Sequence, residues 1–383
     1  MRLLKDLNKD YFSLTPFWKR LKYDLKSKGG LLNYIDDQLR WQIAPKLGYV
    51  THFPHHLDIE AASACQLACP QCTNVIMPAK IKGIMSWDTY QKVIDEAANM
   101  RTGILNRRVV QHVKLSWRGE PMLNKNIWRM VKYAKDAGIP EVAMLSNGER
   151  MKNPEDLEKM LDSGLDWISF SADGLYDTYD RIRAPSKFEE FSEKLVSLRD
   201  LKRKRGTDKP LVRIQTILSA IKDDVDAYFK YWEPIVDKVN FISDEARSDE
   251  MRQFPQDPDY ICPAPWQRMV VDHKGNVRPC VCDYFEENIM GNIHEQSLRE
   301  IWHGKMFKEL RYLQRTKQRM EKSYCAKCCH GGLMEESEII VKGEPRKIKT
   351  YVGQKGVGDN ESIISRKIQS SKLYNPHISS KDI

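Results

Sequence analysis

From His56 onward, short apolar runs alternate with amphipathic stretches. Strands are predicted at 57–62, 113–117, 142–146, 167–171, 212–218 and 239–243, where β-branched and aromatic residues cluster. Between them, apolar residues recur at helical spacing, which predicts helices at 87–100, 125–137, 154–161, 188–204 and 223–236. Ser86 is placed to cap the first of these, Gly138 to end the second, and Asn147-Gly148 to turn the chain after the third strand. Six strand–helix alternations argue for a parallel sheet with helices outside it. They are too few to close an eight-stranded barrel, so the expected fold is α/β, a partial (β/α)6 TIM-like barrel. Chemistry in such folds gathers just after the strands.

The flanks read differently. Residues 1–50 predict a basic, mostly helical extension with Phe12, Phe17, Trp18, Leu21, Tyr23 and Leu25 as its apolar stripe. After Asp244, Pro255, Pro258, Pro263 and Pro265 break the alternation. A hairpin is predicted at 269–272 and 277–278 around Lys274-Gly275-Asn276, then a helix from Leu298 to about Met320. The expected division is an extension (1–50), a barrel (51–250), a small α+β domain (251–345) and a flexible tail (346–383).

Charge adds little to this. The formal net charge is +9, with ten Lys/Arg against five Asp/Glu in residues 1–50 and eight against two in 305–327. A nucleic-acid or other anionic partner is compatible with that balance, but no aromatic-interleaved basic motif accompanies it. No apolar run is long enough to span a membrane, and residues 1–10 lack a signal-peptide core. A cytoplasmic protein is expected, in which thiols stay reduced.

The nine cysteines change the picture. Cys65, Cys69 and Cys72 lie within eight residues, and the other six fall between 262 and 329. Such clustering, in a chain without an export signal, points to metal rather than disulfides. Cys65-x3-Cys69-x2-Cys72 follows the first predicted strand, and three thiolates there can ligate three irons of a four-iron cube, leaving the fourth open. A zinc site is the alternative. It would need a fourth ligand, for which only His52, His55 and His56 are near in sequence.

The C-x3-C-x2-C spacing resembles the signature of the radical S-adenosylmethionine (radical SAM) superfamily. Arg118-Gly119-Glu120-Pro121 after the second strand is similar to the family's glycine-glycine-glutamate-proline motif. Ser146-Asn147-Gly148 resembles its threonine-asparagine-glycine turn, and 169–174 its serine-leucine-aspartate-glycine element. The resemblance covers residues 57–245. It implies that Cys65, Cys69 and Cys72 hold a 4Fe–4S cluster, and that Gly119, Glu120, Pro121, Asn147, Ser171 and Arg183 bind S-adenosyl-L-methionine. Two positions depart from the pattern: Gln71 stands where an aromatic residue is common, and Arg118 where the motif has its first glycine.

Cys262, Gly275-x4-Cys280 and Cys325-x2-Cys328 resemble the SPASM/twitch C-terminal extensions, which hold auxiliary 4Fe–4S clusters. The resemblance implies Cys262, Cys280, Cys325 and Cys328 as ligands of one such cluster, leaving Cys282 and Cys329 over. A zinc ribbon of Cys280 and Cys282 with Cys325 and Cys328 stays open as the alternative. In twitch dehydrogenases this cluster accepts an electron from a substrate radical, so the implied function is dehydrogenation of a small molecule or a side chain. A general base is then needed. Asp244 and Glu245 follow the sixth strand, with Arg247 beside them. The alternatives are a redox-neutral epimerase or isomerase with Cys282 or Cys329 as hydrogen donor, an enzyme modifying a peptide or nucleic acid, and a non-catalytic cluster- or zinc-bearing nucleic-acid binder. A reductant such as flavodoxin or ferredoxin is the implied partner, beside a small-molecule, peptide or nucleotide substrate.

Overall fold

A computed structural model describes residues 12, 17–27, 30–102, 107–243, 255–285 and 288–352. Among these the six predicted barrel strands form: β1 (His56–Ile59), β2 (His112–Lys114), β3 (Glu141–Ser146), β4 (Trp167–Ser171), β5 (Leu211–Ile217) and β6 (Lys238–Ile242). They pair in parallel in chain order, with registers such as Leu57 opposite Val113 and Ile168 opposite Val212. Runs such as Val142-Ala143-Met144 are buried throughout, as strands covered on both faces require. The covering helices are α1 (Trp87–Asn99), α2 (Ile127–Asp136), α3 (Pro154–Asp162), α4 (Tyr176–Ile182), α5 (Phe188–Arg205) and α6 (Val225–Trp232). Ser86 caps α1 by accepting from the Thr89 N–H at 3.1 Å. Asn153 and Asp156 close a capping box on α3.

The C-terminal hairpin does not stand apart. β7 (Arg268–Val271) pairs in parallel with the free edge of β1, His56 opposite Arg268 and Ile59 opposite Val271. β8 (Asn276–Arg278) and β9 (Gly291–Asn292) continue antiparallel, giving one nine-stranded sheet in the order β9-β8-β7-β1-β2-β3-β4-β5-β6. The two cysteine regions therefore share one hydrogen-bonded frame.

Three expectations need correction. The single helix predicted from Leu298 is two, α7 (Leu298–His303) and α8 (Lys305–Arg315), because Gly304 between them is extended (φ −69°, ψ 168°). Residues 346–351 are not tail: Glu344–Tyr351 pairs antiparallel with Met334–Val341. In the N-terminal extension, Phe12 stacks on Phe241 with ring centroids 4.7 Å apart, but Trp18 of the predicted apolar stripe is 76% exposed. No helix among the described residues is long and apolar enough to cross a membrane.

Candidate functional site

The loops after β1, β2, β3 and β4 meet at the C-terminal end of the barrel. The first carries Cys65, Cys69 and Cys72. It is laid against the second by backbone contact: the Glu120 N–H donates to the Ala64 carbonyl at 2.8 Å. That approach requires Gly119. A Cβ there would stand 2.4 Å from the Ala64 carbonyl oxygen and 2.5 Å from that of Ala62. Asn74 ties the same two loops, donating to the Ser63 carbonyl at 2.6 Å and the Arg118 carbonyl at 3.2 Å.

Glu120 is buried, and its carboxylate is met on both oxygens. Oε1 accepts from the Ser146 hydroxyl (2.9 Å) and the Met122 N–H (2.9 Å), and Oε2 accepts from the Asn147 N–H (2.8 Å). Burial pushes its pKa up, and these bonds oppose the shift. Pro121 opens the short turn that follows. Asn147 Nδ2 reaches Cys65 Sγ at 3.6 Å, while its Oδ1 accepts from Gln66 at 3.2 Å. Ser171 ends β4, half-buried. Arg183 donates to Asp173 Oδ2 at 3.1 Å, and its cation opposes the rise that burial imposes on Cys69, whose thiol is pushed up to about 12. Gln71, in the place where an aromatic residue was expected, donates to the same Asp173 oxygen at 2.7 Å. Its amide links the cysteine loop to the loop after β4.

The other departure, Arg118, also has a physical account. Its guanidinium makes a two-pronged pair with Glu60, Nε to Oε1 and Nη2 to Oε2, both at 2.7 Å, and both side chains are fully buried. Nη1 donates to the Tyr284 carbonyl at 3.0 Å, and the cation lies 4.0 Å from the Trp117 ring centroid. Trp117 in turn donates to the Val281 carbonyl at 2.8 Å. Trp117, Arg118 and Glu60 thus tie the barrel site to the segment that carries Cys280 and Cys282. Sequence reasoning missed this tie. Its only signal was a charged residue standing where the motif has glycine.

In the C-terminal half, Cys262, Cys280, Cys325 and Cys328 line one cavity together with Cys282 and His330. Gln314 braces it, accepting from the Cys262 N–H at 3.0 Å and donating to Cys325 Sγ at 3.5 Å. Burial pushes the Cys262 thiol up to about 12. None of the nine cysteines is in a disulfide. The donor sets suit iron–sulfur cubes: three thiols on one loop at the barrel mouth, and four converging thiols in the second cavity. Cys282, considered as a hydrogen donor, is only 3% exposed and lies 3.6 Å from Cys328 Sγ. Asp244, Glu245 and Arg247 lie outside the described residues.

Comparison with known proteins agrees with this layout. Residues 59–216 match the family model of the Radical SAM superfamily, and residues 262–329 match SPASM, an iron-sulfur cluster-binding domain. The chain is 22% identical to the S-adenosyl-L-methionine-dependent 2-deoxy-scyllo-inosamine dehydrogenase of Niallia circulans, over 74% of this chain and 95% of that protein. It is 25% identical to an AdoMet-dependent heme synthase of Methanosarcina barkeri, of which it spans 58%. It is 27% identical to a PqqA peptide cyclase of a Methylobacterium species, over 65% of this chain and 73% of that one. Among solved structures, BtrN in complex with AdoMet and 2-DOIA is similar over 72% of this chain and 92% of that one, at 20% identity and a TM-score of 0.49. The chain belongs to the radical SAM superfamily, as an enzyme with a C-terminal SPASM domain whose cofactors are S-adenosylmethionine, the 4Fe–4S cluster that binds it and an auxiliary 4Fe–4S cluster.

Proposed function

We propose that this radical SAM enzyme dehydrogenates a small molecule. The observation that carries the proposal is the second cavity. Its four thiols, Cys262, Cys280, Cys325 and Cys328, are enough to saturate one cube, which leaves no iron open for substrate and suits an electron acceptor. The 95% span of the dehydrogenase relative supports the same direction.

In this reading Cys65, Cys69 and Cys72 hold the cluster that binds S-adenosylmethionine. Gly119, Glu120, Pro121, Asn147, Ser171 and Arg183 form the cradle around it. When bound, these groups would supply hydrogen-atom abstraction at the barrel mouth and a one-electron sink in the second cavity. For an alcohol to become a carbonyl, the substrate would lose the hydrogen atom of its C–H, the proton of the adjoining O–H, with Asp244 or Glu245 as its acceptor, and one further electron. Two protons and two electrons depart in all. Delivery of the starting electron falls to a reductant of the flavodoxin or ferredoxin kind. Nine cysteines outside disulfides suit the reducing cytoplasm.

The test is anaerobic turnover with S-adenosylmethionine, reductant and candidate alcohols in deuterium oxide, followed by mass analysis. A product lighter by two hydrogens, with no deuterium at the attacked carbon, is expected. A product of unchanged composition carrying solvent deuterium there would make the enzyme an epimerase with a thiol donor.

A further inference from the structure

Four thiols suffice for the auxiliary cube, yet the same cavity region holds two more cysteines and a histidine. Cys282, Cys329 and His330 are 3%, 2% and 9% exposed, and one ligand atom from each lies within 4.8 Å of the others. Nδ1 of His330 is buried and has no hydrogen-bond partner. A buried ring nitrogen without a partner is costly unless something absent from the protein meets it.

The sulfur spacing bears on what kind of group that is. Cys282 Sγ lies 3.6 Å from Cys328 Sγ. Two thiolates bound at about 2.3 Å to one tetrahedral ion stand about 3.8 Å apart. Thiolates on different irons of a cube are held farther from each other than that. The 3.6 Å contact is close enough for a hydrogen bond between the two thiols, and it is also near the separation of two thiolates on one ion.

The local backbone is built to hold this arrangement. Cys328 is followed by a tight turn, Cys329–Gly331, which brings Cys329 and His330 around beside it. Arg319, itself buried, pins both ends: it donates to the Cys325 carbonyl at 2.7 Å and to the Gly331 carbonyl at 3.3 Å. Gly331 leaves room for that contact: a Cβ there would stand 2.6 Å from the guanidinium, which would have to shift. Outer partners of this kind fix the orientation of metal ligands.

We propose that Cys282, Cys329 and His330 bind a single zinc-type divalent ion against the auxiliary cluster, with Cys328 as a thiolate shared between the two. Two thiolates and an imidazole are soft to borderline donors that suit zinc. Binding releases the thiol protons of Cys282 and Cys329 and involves no electron transfer. The site is independent of which reaction the barrel runs.

The test is elemental analysis of anaerobically purified, fully reconstituted enzyme, with Cys282→Ser and His330→Ala alongside. The wild type should carry about one zinc beside about eight irons. Each variant should lose the zinc and keep its iron, and His330→Cys should retain the zinc. Zinc absent from the wild type, zinc kept by both variants, or Cys282→Ser losing about half the iron would each overturn the site. Cobalt exchanged into the wild-type site needs no variant to fold: it should give the visible absorption of tetrahedral cobalt–thiolate, and its absence would overturn the proposal too. Failure of the dehydrogenase reading would appear in product mass and leave these metal counts untouched.

Discussion

The two ends of the barrel are both rich in buried polar groups, and they use them differently. At the N-terminal end, Asp37 Oδ1 bridges His55 Nε2 at 2.7 Å and His112 Nε2 at 2.5 Å. His112 Nδ1 faces Glu141 at 3.0 Å, and Trp167 donates to the same Glu141 oxygen at 2.9 Å. Asp37, His55 and His112 converge as a metal site would, but ligands of one tetrahedral ion bound at about 2.0–2.1 Å stand about 3.3 Å apart. The observed separations are those of hydrogen bonds, and this end is a latch that fixes the N-terminal extension under the sheet. At the C-terminal end, Glu120 and Asp173 are matched just as fully, but the thiols among them are weak hydrogen bonders that oxygen and nitrogen partners do not satisfy. Buried polar density does not mark the active end. Soft donors gathered among hard ones do.

The strongest way to break this comparison is at the thiols. Cys65→Ala, Cys69→Ala or Cys72→Ala should each abolish formation of 5′-deoxyadenosine while leaving the far-ultraviolet circular dichroism unchanged. Cleavage that survives all three changes would remove the chemistry from this end.

Next in size is the buried pair that joins the barrel site to the cysteine hairpin. Arg118→Met would leave the Glu60 carboxylate buried with only His273 beside it, its N–H at 3.3 Å and its Nδ1 at 3.1 Å, so the change should cost about 3–5 kcal/mol in urea unfolding. Adding Glu60→Gln should recover much of that loss, because the double variant strands no charge. A single variant as stable as the wild type would show that the tie is not a structural one.

The smallest effect sharpens the view of the latch. Burial lowers the pKa of His55 from 6.5 to about 4, with the hydrogen bond to Asp37 opposing the shift. Above pH 6.5 the imidazole is neutral in both folded and unfolded chains, and this contribution to stability is complete. As pH falls from 6.5 toward 4 the unfolded chain takes up the proton first, so stability declines, by up to about 1.4 kcal/mol per pH unit for this group. Unfolding midpoints of His55→Asn should fall less steeply over that window than those of the wild type. Equal slopes would mean that His55 is not held neutral.

How much of this was legible in the sequence depends on how local each signal is. The barrel strands and the cysteine loop announce themselves within a few residues, because burial on both faces and metal chelation each impose a short pattern. Gly304 was visible as a poor helix former, and the prediction ran through it because the apolar spacing continues on either side. The strand Glu344–Tyr351 was missed because it is mostly exposed and charged, so no alternation of apolar residues marks it. The pairing of Arg118 with Glu60 and Tyr284, and of β7 with β1, joins segments far apart in the chain. No local pattern carries that information. Cys282 and Cys329 stood out in the sequence as cysteines beyond the four assigned to the cube, whereas His330 is unremarkable in its own segment and gains meaning only beside them.

The seat of β7 against β1 bears on how the chain is made. β1 lies in the interior of the sheet, yet one of its edges waits for a partner more than two hundred residues downstream. While the enzyme is synthesised, that edge and the Cys65 loop beyond it are exposed on a half-built barrel. The scaffold around the first cluster is completed only when the hairpin before Cys280 arrives. Iron loaded before that point would meet an unfinished cradle on a chain whose halves have yet to close on one another.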